Sequence, residues 1–370
     1  MVLVIQAMYR FDPPDDNSGL DSCETGRFRS RRYNKMLTPK EGNMSPIGVV
    51  VIGRNEGERL RVCLRALDTV TRPVVYVDSG STDNSIHLAR SSGAHVIELD
   101  SRIPFTAARA RNAGLARLLE VAPDTRLIQF VDGDTELAPG WLENGPKALE
   151  DDSTVGVVCG RLRERYPERS VYNRLCDIEW DTPVGERKAC GGNALMRVEA
   201  LRCVGGFDPT VPGAEDDEIC LRIRRAGWRV LRIDADMGQH DAAMTHFRQW
   251  WRRAVRCGYA YAQGAWLHGR GPERHFVCER RRVLFWGAGL PLLIVGSTWP
   301  SGGWSLLALL LYPIQAVRVM LRERKRCVPR GALAAYGLAC ILGKFPELVG
   351  LCRFHCLRLW WQTAHWVKHK

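Results

Sequence analysis

The chain has 370 residues, 45% of them apolar, with 53 Lys and Arg against 41 Asp and Glu for a formal net charge of +12. One large domain or two ordinary ones with a sizeable core fit that length. A basic chain points to nucleic acid, anionic lipid or a phosphorylated substrate. Much of the excess sits near or after residue 245 beside apolar segments, which favours a membrane surface and sets nucleic acid aside. The 13 cysteines are odd in number and form no Cys-x-x-Cys pair. Cys352 and Cys356 lack a second pair to complete a zinc site, so reduced, buried thiols are expected. There is no Gly-x-x-x-x-Gly-Lys-Ser/Thr, no Gly-x-Gly-x-x-Gly after a strand and no His-Glu-x-x-His. P-loop kinases, dinucleotide oxidoreductases and zincins therefore lose their main support.

Residues 1–44 mix Pro, Gly, Ser and both charges without periodicity; they lack a signal peptide's basic start and are expected to be disordered. Met44, just before the first apolar run, is expected to serve as a start. Residues 47–52 (IGVVVI) are a β-branched run suited to a strand buried on both faces. A helix over 55–67 follows, then a strand at 74–77. Asp83 is placed to cap a helix reaching Ser92. A strand at 95–99, a helix at 107–120 and a strand at 127–131 come next, the last ending on Asp132. Pro139 is expected at the first position of another helix, and 155–159 is a fifth strand. Alternating strands and helices imply an α/β domain with a mainly parallel sheet. Ligands bind beyond the carboxyl ends of such strands, so Asp78 and Asp132 should converge.

The second half is less regular. Residues 161–188 are rich in charge and aromatics with little period. Strand character returns at 191–196, short helices are expected at 199–204 and 217–226, a strand at 228–233, and a Trp/Arg-rich helix at 245–263. Residues 283–299 carry no charge, and 305–321 are interrupted only by Gln315 and Arg318. Each approaches the roughly 17–25 residues of a spanning helix. Arg280, Arg281 and Arg282 precede the pair, and Arg322, Arg324, Lys325 and Arg326 follow it. A hairpin with both basic ends in the cytoplasm is expected; a buried helical hairpin is the alternative. The stretch from 331 onward reads as interfacial. The expected organisation is an extension over 1–44, a catalytic domain over 45–265, and a helical, membrane-associated region over 266–370.

In an extended segment residues i and i+2 face one side, so Asp132-Gly133-Asp134 at a strand end would aim two carboxylates together, with Gly133 leaving room for a ligand. Mg²⁺ or Mn²⁺ prefers such oxygens together with substrate phosphates. Glu215-Asp216-Asp217-Glu218 opens a helix; capping explains two of these acids, and a third is free to take a proton from an acceptor hydroxyl.

Four stretches in order, VVVIGRNEGERL (49–60), VDSGSTDNS (77–85), FVDGDTEL (130–137) and GGFDPTVPGAEDDEICLRIRRAGWRV (205–230), together resemble family 2 glycosyltransferases of the GT-A fold. The resemblance spans about 46–265. It implies a Rossmann-like sheet flanked by helices and an inverting, metal-dependent transfer from a nucleoside-diphosphate sugar. By position, Asp78 matches the residue that contacts the base, Glu56 the acid near the nucleotide, Asp132 the ribose contact, and Asp134 the metal ligand. Asp216 matches the catalytic base, with Glu215 beside it. Arg111-Asn112 resembles an Arg-Asn pair of the donor site. Where the family has Pro-Thr-Tyr-Asn, this chain has Gly53-Arg54-Asn55, so no tyrosine stacks on the base and Arg54 is left to stack or to meet a phosphate. His240 stands where similar enzymes hold metal or diphosphate; a structural histidine is the plainer reading. Gln249-Trp250-Trp251-Arg252-Arg253 loosely resembles the Gln-x-x-Arg-Trp motif of processive synthases with Trp and Arg out of order, so processivity is not carried over. Trp251 and Arg253 are candidates for contact with acceptor or diphosphate. The expected enzyme sits at a bacterial inner membrane, faces the cytoplasm, and extends a glycan or lipid-linked acceptor. Transfer to polyprenyl phosphate, a nucleotidyltransferase and an inactive membrane scaffold are the rivals.

Overall fold

The structure, a computed structural model, describes residues 46–67, 72–324 and 328–359; the expected extension over 1–44 and the end of the last basic stretch lie outside them. The first half folds as its apolar periodicity predicts. β1 (Ile47–Gly53), α1 (Glu58–Arg65), β2 (Val74–Asp78), α2 (Ser85–Ser91), β3 (His95–Glu98), α3 (Ala107–Val121) and β4 (Leu127–Asp132) alternate. Strands run in the order β3-β2-β1-β4, all parallel. Val49, Val50, Val51, Val75, Tyr76 and Val77 are fully buried, as a strand covered on both faces requires. Asp83 is not the cap of α2: Asn84 holds that position without a side-chain cap bond, and Asp83 accepts from the Ser85 amide at 3.0 Å in the turn just before the helix. Gln129, buried in β4, accepts from the Trp141 indole at 2.7 Å, so this polar group in the core is satisfied.

The second half departs from a simple βαβ series. β5 (Thr135–Leu137), α4 (Trp141–Asp151), β6 (Val155–Glu164), α5 (Val171–Trp180), β7 (Gly185–Glu186), β8 (Ala194–Arg197), α6 (Val198–Cys203), α7 (Glu215–Arg225), β9 (Arg229–His240) and α8 (Phe247–His268) follow. β8 inserts antiparallel between β4 and β6, and the sheet continues as β6-β9-β5 with β7 on β9. The sheet is thus mixed, parallel in its first half. Pro139 does not open α4: the helix starts at Trp141 behind Gly140, whose φ of 79° only glycine adopts readily. The aperiodic segment at 161–188 contains a regular helix, α5.

The rest is helical. α9 (Val277–Leu284) runs through a wider turn into α10 (Leu290–Thr298), and after a tight reversal the chain returns through α11 (Leu311–Glu323). This is the expected hairpin, and its apolar residues face outward: Leu292, Leu293 and Val295 are 70%, 66% and 74% exposed. Trp304–Glu323 is long and apolar enough to cross a bilayer and is almost unburied. α12 (Arg330–Leu342) and α13 (Lys344–Leu359) form a second such stretch, half covered by protein. α13 lies directly on α8. At Gly258 and Gly350 a Cβ would collide with the backbone of the facing helix, at Glu347 and Val255 respectively, so the two helices meet through glycines. α8 passes without a break through residue 265, where a domain boundary was expected. Among the described residues no cysteine is paired in a disulfide.

Candidate active site

The carboxyl ends of β1, β2 and β4 meet at one edge. Gly53 pairs in register with Asp78, and Ile52 with Asp132, so the two acids flank β1 as strand order predicts. Beyond them opens a cleft of about 370 Å³ lined by Arg54, Glu56, Arg111, Asp132, Gly133 and Asp134 on one side and Glu215, Asp216, His240, Arg253 and Arg256 on the other.

Asp78 lies under this wall rather than in it. It is 1% exposed, and its carboxylate accepts from the Gly80 and Ser81 amides at 2.9 and 2.7 Å, the Ser81 hydroxyl at 2.5 Å and the Tyr76 hydroxyl at 3.0 Å. It therefore fixes the turn that follows β2. Asn55 ties the first loop to that turn, accepting from the Thr82 amide at 2.7 Å. Arg54 projects over the Phe105 ring at 5.5 Å, an aromatic partner that sequence reading did not select. Glu56 pairs with Arg59 at 2.6 Å. A Cβ on Gly133 would come within 3.1 Å of Glu56 and 3.2 Å of the Ile52 carbonyl, a tight fit that favours glycine here.

Asp132 is clamped. Arg111 donates to its Oδ1 at 2.9 Å, Asn193 donates to Oδ2 at 3.3 Å, and Asn193 also accepts from the Asp132 amide at 2.8 Å. Arg111 reaches on to Glu215 at 2.6 Å, so one buried guanidinium joins the two sides of the cleft. Burial disfavours its charge, but Asp132 and Glu215 outweigh this and raise its pKa above the usual value. Asn112 is not brought to the cleft: its amide exchanges both hydrogen bonds with the Phe207 backbone, at 2.7 and 2.9 Å.

Asp134 and His240 come together because β5 pairs antiparallel with β9, setting Thr135 opposite His240. His240 Nε2 lies 3.0 Å from Asp134 Oδ1, and the ring stacks on Trp180 at 4.6 Å. Burial works against protonation of His240, and the Asp134 carboxylate outweighs it, so its pKa is raised. Among the described residues no group of three or more His, Cys, Asp or Glu side chains forms a metal cage. The Asp134–His240 pair fits an ion that takes its remaining oxygens from a diphosphate and water, as Mg²⁺ does.

Asp216 sits in the first turn of α7. Burial and the adjacent Glu215 push its pKa up to about 6, with Arg111 opposing, a value suited to a base working near neutrality. Asp217 is held well above the usual carboxylate range, first by burial and then by Asp216.

The far wall comes largely from α5 and α8. Trp180 backs His240, and Glu179 pairs with Arg253 at 2.6 Å. Glu164, Asn173 and Ser170 tie the 241–246 loop in place, through the Ala242 amide at 3.0 Å, the Met244 amide at 2.9 Å and the Met244 carbonyl at 2.6 Å. Trp251 packs against Phe247, outside the cleft lining.

Comparison with known proteins agrees with this architecture. Residues 48–205 match the model described as glycosyl transferase family 2, and residues 176–247 that described as the N-terminal domain of galactosyltransferase. The pre-mycofactocin glycosyltransferase of Mycobacterium tuberculosis is 30% identical over 238 residues, 60% of this chain and 48% of that protein, so the chain spans about half of that relative's length. The succinoglycan biosynthesis protein ExoA of Rhizobium meliloti is 25% identical over 205 residues, 50% of this chain and 60% of that protein. A solved mannosyltransferase from Pyrobaculum calidifontis, in complex with GDP-mannose and Mn²⁺, superposes with a TM-score of 0.52 at 22% identity, covering 88% of this chain and 90% of that one. The sheet order, the acids at its carboxyl edge and the match over 48–205 lead to one assignment: residues 48–205 carry a glycosyl transferase family 2 domain, with a GT-A fold.

Proposed function

We propose that the protein transfers a sugar, with inversion, from a nucleoside-diphosphate sugar to a glycan or lipid-linked acceptor at a membrane surface. The observation that carries this reading is the pairing of two poles in one cleft: Asp134 facing His240 at 3.0 Å, and buried Asp216 with its raised pKa. Asp216 takes the proton of the attacking acceptor hydroxyl as that oxygen bonds to the anomeric carbon and the nucleoside diphosphate departs from the opposite face. Arg111 holds Asp132 toward the ribose and keeps Glu215 beside the base. Arg54, Glu56 and the turn built by Asp78 form the nucleotide end. A divalent ion held by Asp134 and His240 would neutralise the departing diphosphate; the complex of the Pyrobaculum enzyme with GDP-mannose and Mn²⁺ supports that expectation.

The membrane part rests on the outward apolar face of α10 and α11, with Arg280, Arg281 and Arg282 at one end of the hairpin and Arg322 and Arg324 at the other. In this reading the protein sits at an inner membrane with its cleft on the cytoplasmic side, and the relationship to ExoA supports a role in building polysaccharide. A screen of UDP- and GDP-sugars for Mn²⁺-dependent release of the nucleoside diphosphate tests the catalytic reading; release that survives loss of both Asp134 and Asp216 overturns it. Recovery of full-length protein from cells without detergent would overturn the membrane placement.

A further inference from the structure

Asp78 and Arg54 stand at the nucleotide end of the cleft, and they differ in what they have left to offer a base. Asp78 is spent. A carboxylate has about four acceptor sites. Here the Tyr76 and Ser81 hydroxyls donate to Oδ1, and the Gly80 and Ser81 amides donate to Oδ2. No site remains for the N–H of a base. Arg54 is the reverse. It lines the cleft, and among the described residues it has no hydrogen bond and no ion pair, with its Nε buried and unpartnered. What steadies it is the Phe105 ring, 5.5 Å from the guanidinium carbon. A cation over a ring face is attracted without using its N–H groups. Neighbouring arginines are committed. Arg109, 5.8 Å from the same ring, donates to the Asp100 and Ile103 carbonyls at 3.1 and 2.7 Å. Arg59 pairs with Glu56, and Arg111 with Asp132 and Glu215.

The ring is fixed in turn. A Cβ on Gly80 would come within 2.9 Å of Phe105, so the ring packs on the turn that Asp78 builds. Arg54 is thereby held on the β2 side of β1, whereas Asp134 and His240 meet beyond β4, where β5 pairs with β9. A base at the β2 end finds the N–H donors of Arg54 and a carboxylate already filled. Such a site selects by the acceptors that a base presents. Guanine sets O6 and N7 side by side, the pattern that a guanidinium takes with two N–H groups, while adenine puts an amino donor beside N7. Uracil flanks O4 with the N3–H donor and a C–H, so it can accept only one bond from the pair.

We propose that Arg54, steadied by Phe105, reads the base of the donor and that this base is guanine. The inference rests on the donor reading above and names its nucleotide. Recognition passes from a carboxylate that accepts to a guanidinium that donates in two places at once.

Calorimetry on the full-length protein in detergent, with Mn²⁺ and a series of nucleoside diphosphates, tests it. GDP should bind about tenfold or more tightly than UDP or ADP, as a two-point contact with the base implies. Inosine diphosphate keeps O6 and N7 and lacks only the 2-amino group, so it should stay within about threefold of GDP. 7-Deaza-GDP replaces N7 by C–H and should lose about fivefold or more. These comparisons need no variant. Arg54→Met keeps the length of the side chain and removes its donors. It should bring GDP down to the level of UDP and leave UDP within about threefold of wild type, which also reports that the variant is folded. Phe105→Leu should remove part of the GDP advantage. UDP or ADP binding as tightly as GDP overturns the proposal, as does full affinity for 7-deaza-GDP or an Arg54→Met variant that keeps the preference. Equal losses of GDP and UDP in Arg54→Met would assign the residue to the phosphates and overturn it as well. A Phe105→Leu variant with the full preference overturns the part given to the ring. Absence of binding by every nucleoside diphosphate overturns the donor reading itself, whereas binding in a different order overturns only the choice of base.

Discussion

The two walls of the cleft solve the problem of buried charge in opposite ways. On the sheet side each acid has its donors in place: four hydrogen bonds converge on Asp78, and Arg111 and Asn193 hold Asp132. On the helical side like charges crowd together: Asp216 is buried beside Glu215 with a raised pKa, and Glu215 is also the carboxylate that faces Arg256. The first wall is organised before any ligand arrives. The second is completed by what binds, which suits a surface that must receive a nucleophile and then release a product.

Substitutions can break that contrast, and the largest effect is expected at the base. Asp216→Asn should lower the transfer rate by about 10³-fold, within the usual range for general-base catalysis, while nucleotide affinity stays within about twofold of wild type; initial rates and calorimetry check both. Asp134→Ala should lower transfer by roughly 10²-fold and flatten its dependence on Mn²⁺ concentration, because the ion loses a ligand and keeps only His240; a metal titration of activity reads this.

Asp78→Asn tests the preorganised wall. An amide donor would face the Gly80 and Ser81 N–H groups, and stability should fall by about 1–3 kcal/mol, measured by denaturant unfolding in detergent. A pH profile sharpens the other wall. Asp216 must be unprotonated to act as base and its pKa lies near 6, so transfer should fall as pH drops through about 6, approaching tenfold per unit below that. A transfer rate independent of pH between 5 and 7 contradicts the assignment.

The two walls also differ in how far the sequence revealed them. The sheet wall is written in long β-branched runs ending on Asp78 and Asp132, and its convergence follows from strand order. The helical wall is not. In α5, Asn173 turns to Glu164, Glu179 to Arg253 and Trp180 to His240, so its residue types answer to separate neighbours and the apolar period vanishes. β5 is three residues long and exists by pairing with β9, whose charged residues hid its second half. That pairing makes the Asp134–His240 contact, which local sequence could not specify. Asn112 misled in the other direction: its place beside Arg111 suggested a ligand contact, but its amide serves the Phe207 backbone. Arg256 carried no signal, since its place on the cleft wall beside Glu215 is visible only after α8 is placed.

α8 spans 22 residues from the cleft to His268, a rod of about 33 Å at 1.5 Å per residue. It has no joint between the part that lines the cleft and the part that meets α13. With the hairpin seated in lipid, the catalytic mouth would keep a fixed height and tilt over the bilayer. Acceptors would then be sorted by reach: only one whose reactive end stands at that height could be served, and lengthening or shortening its stem would matter as much as changing its sugar.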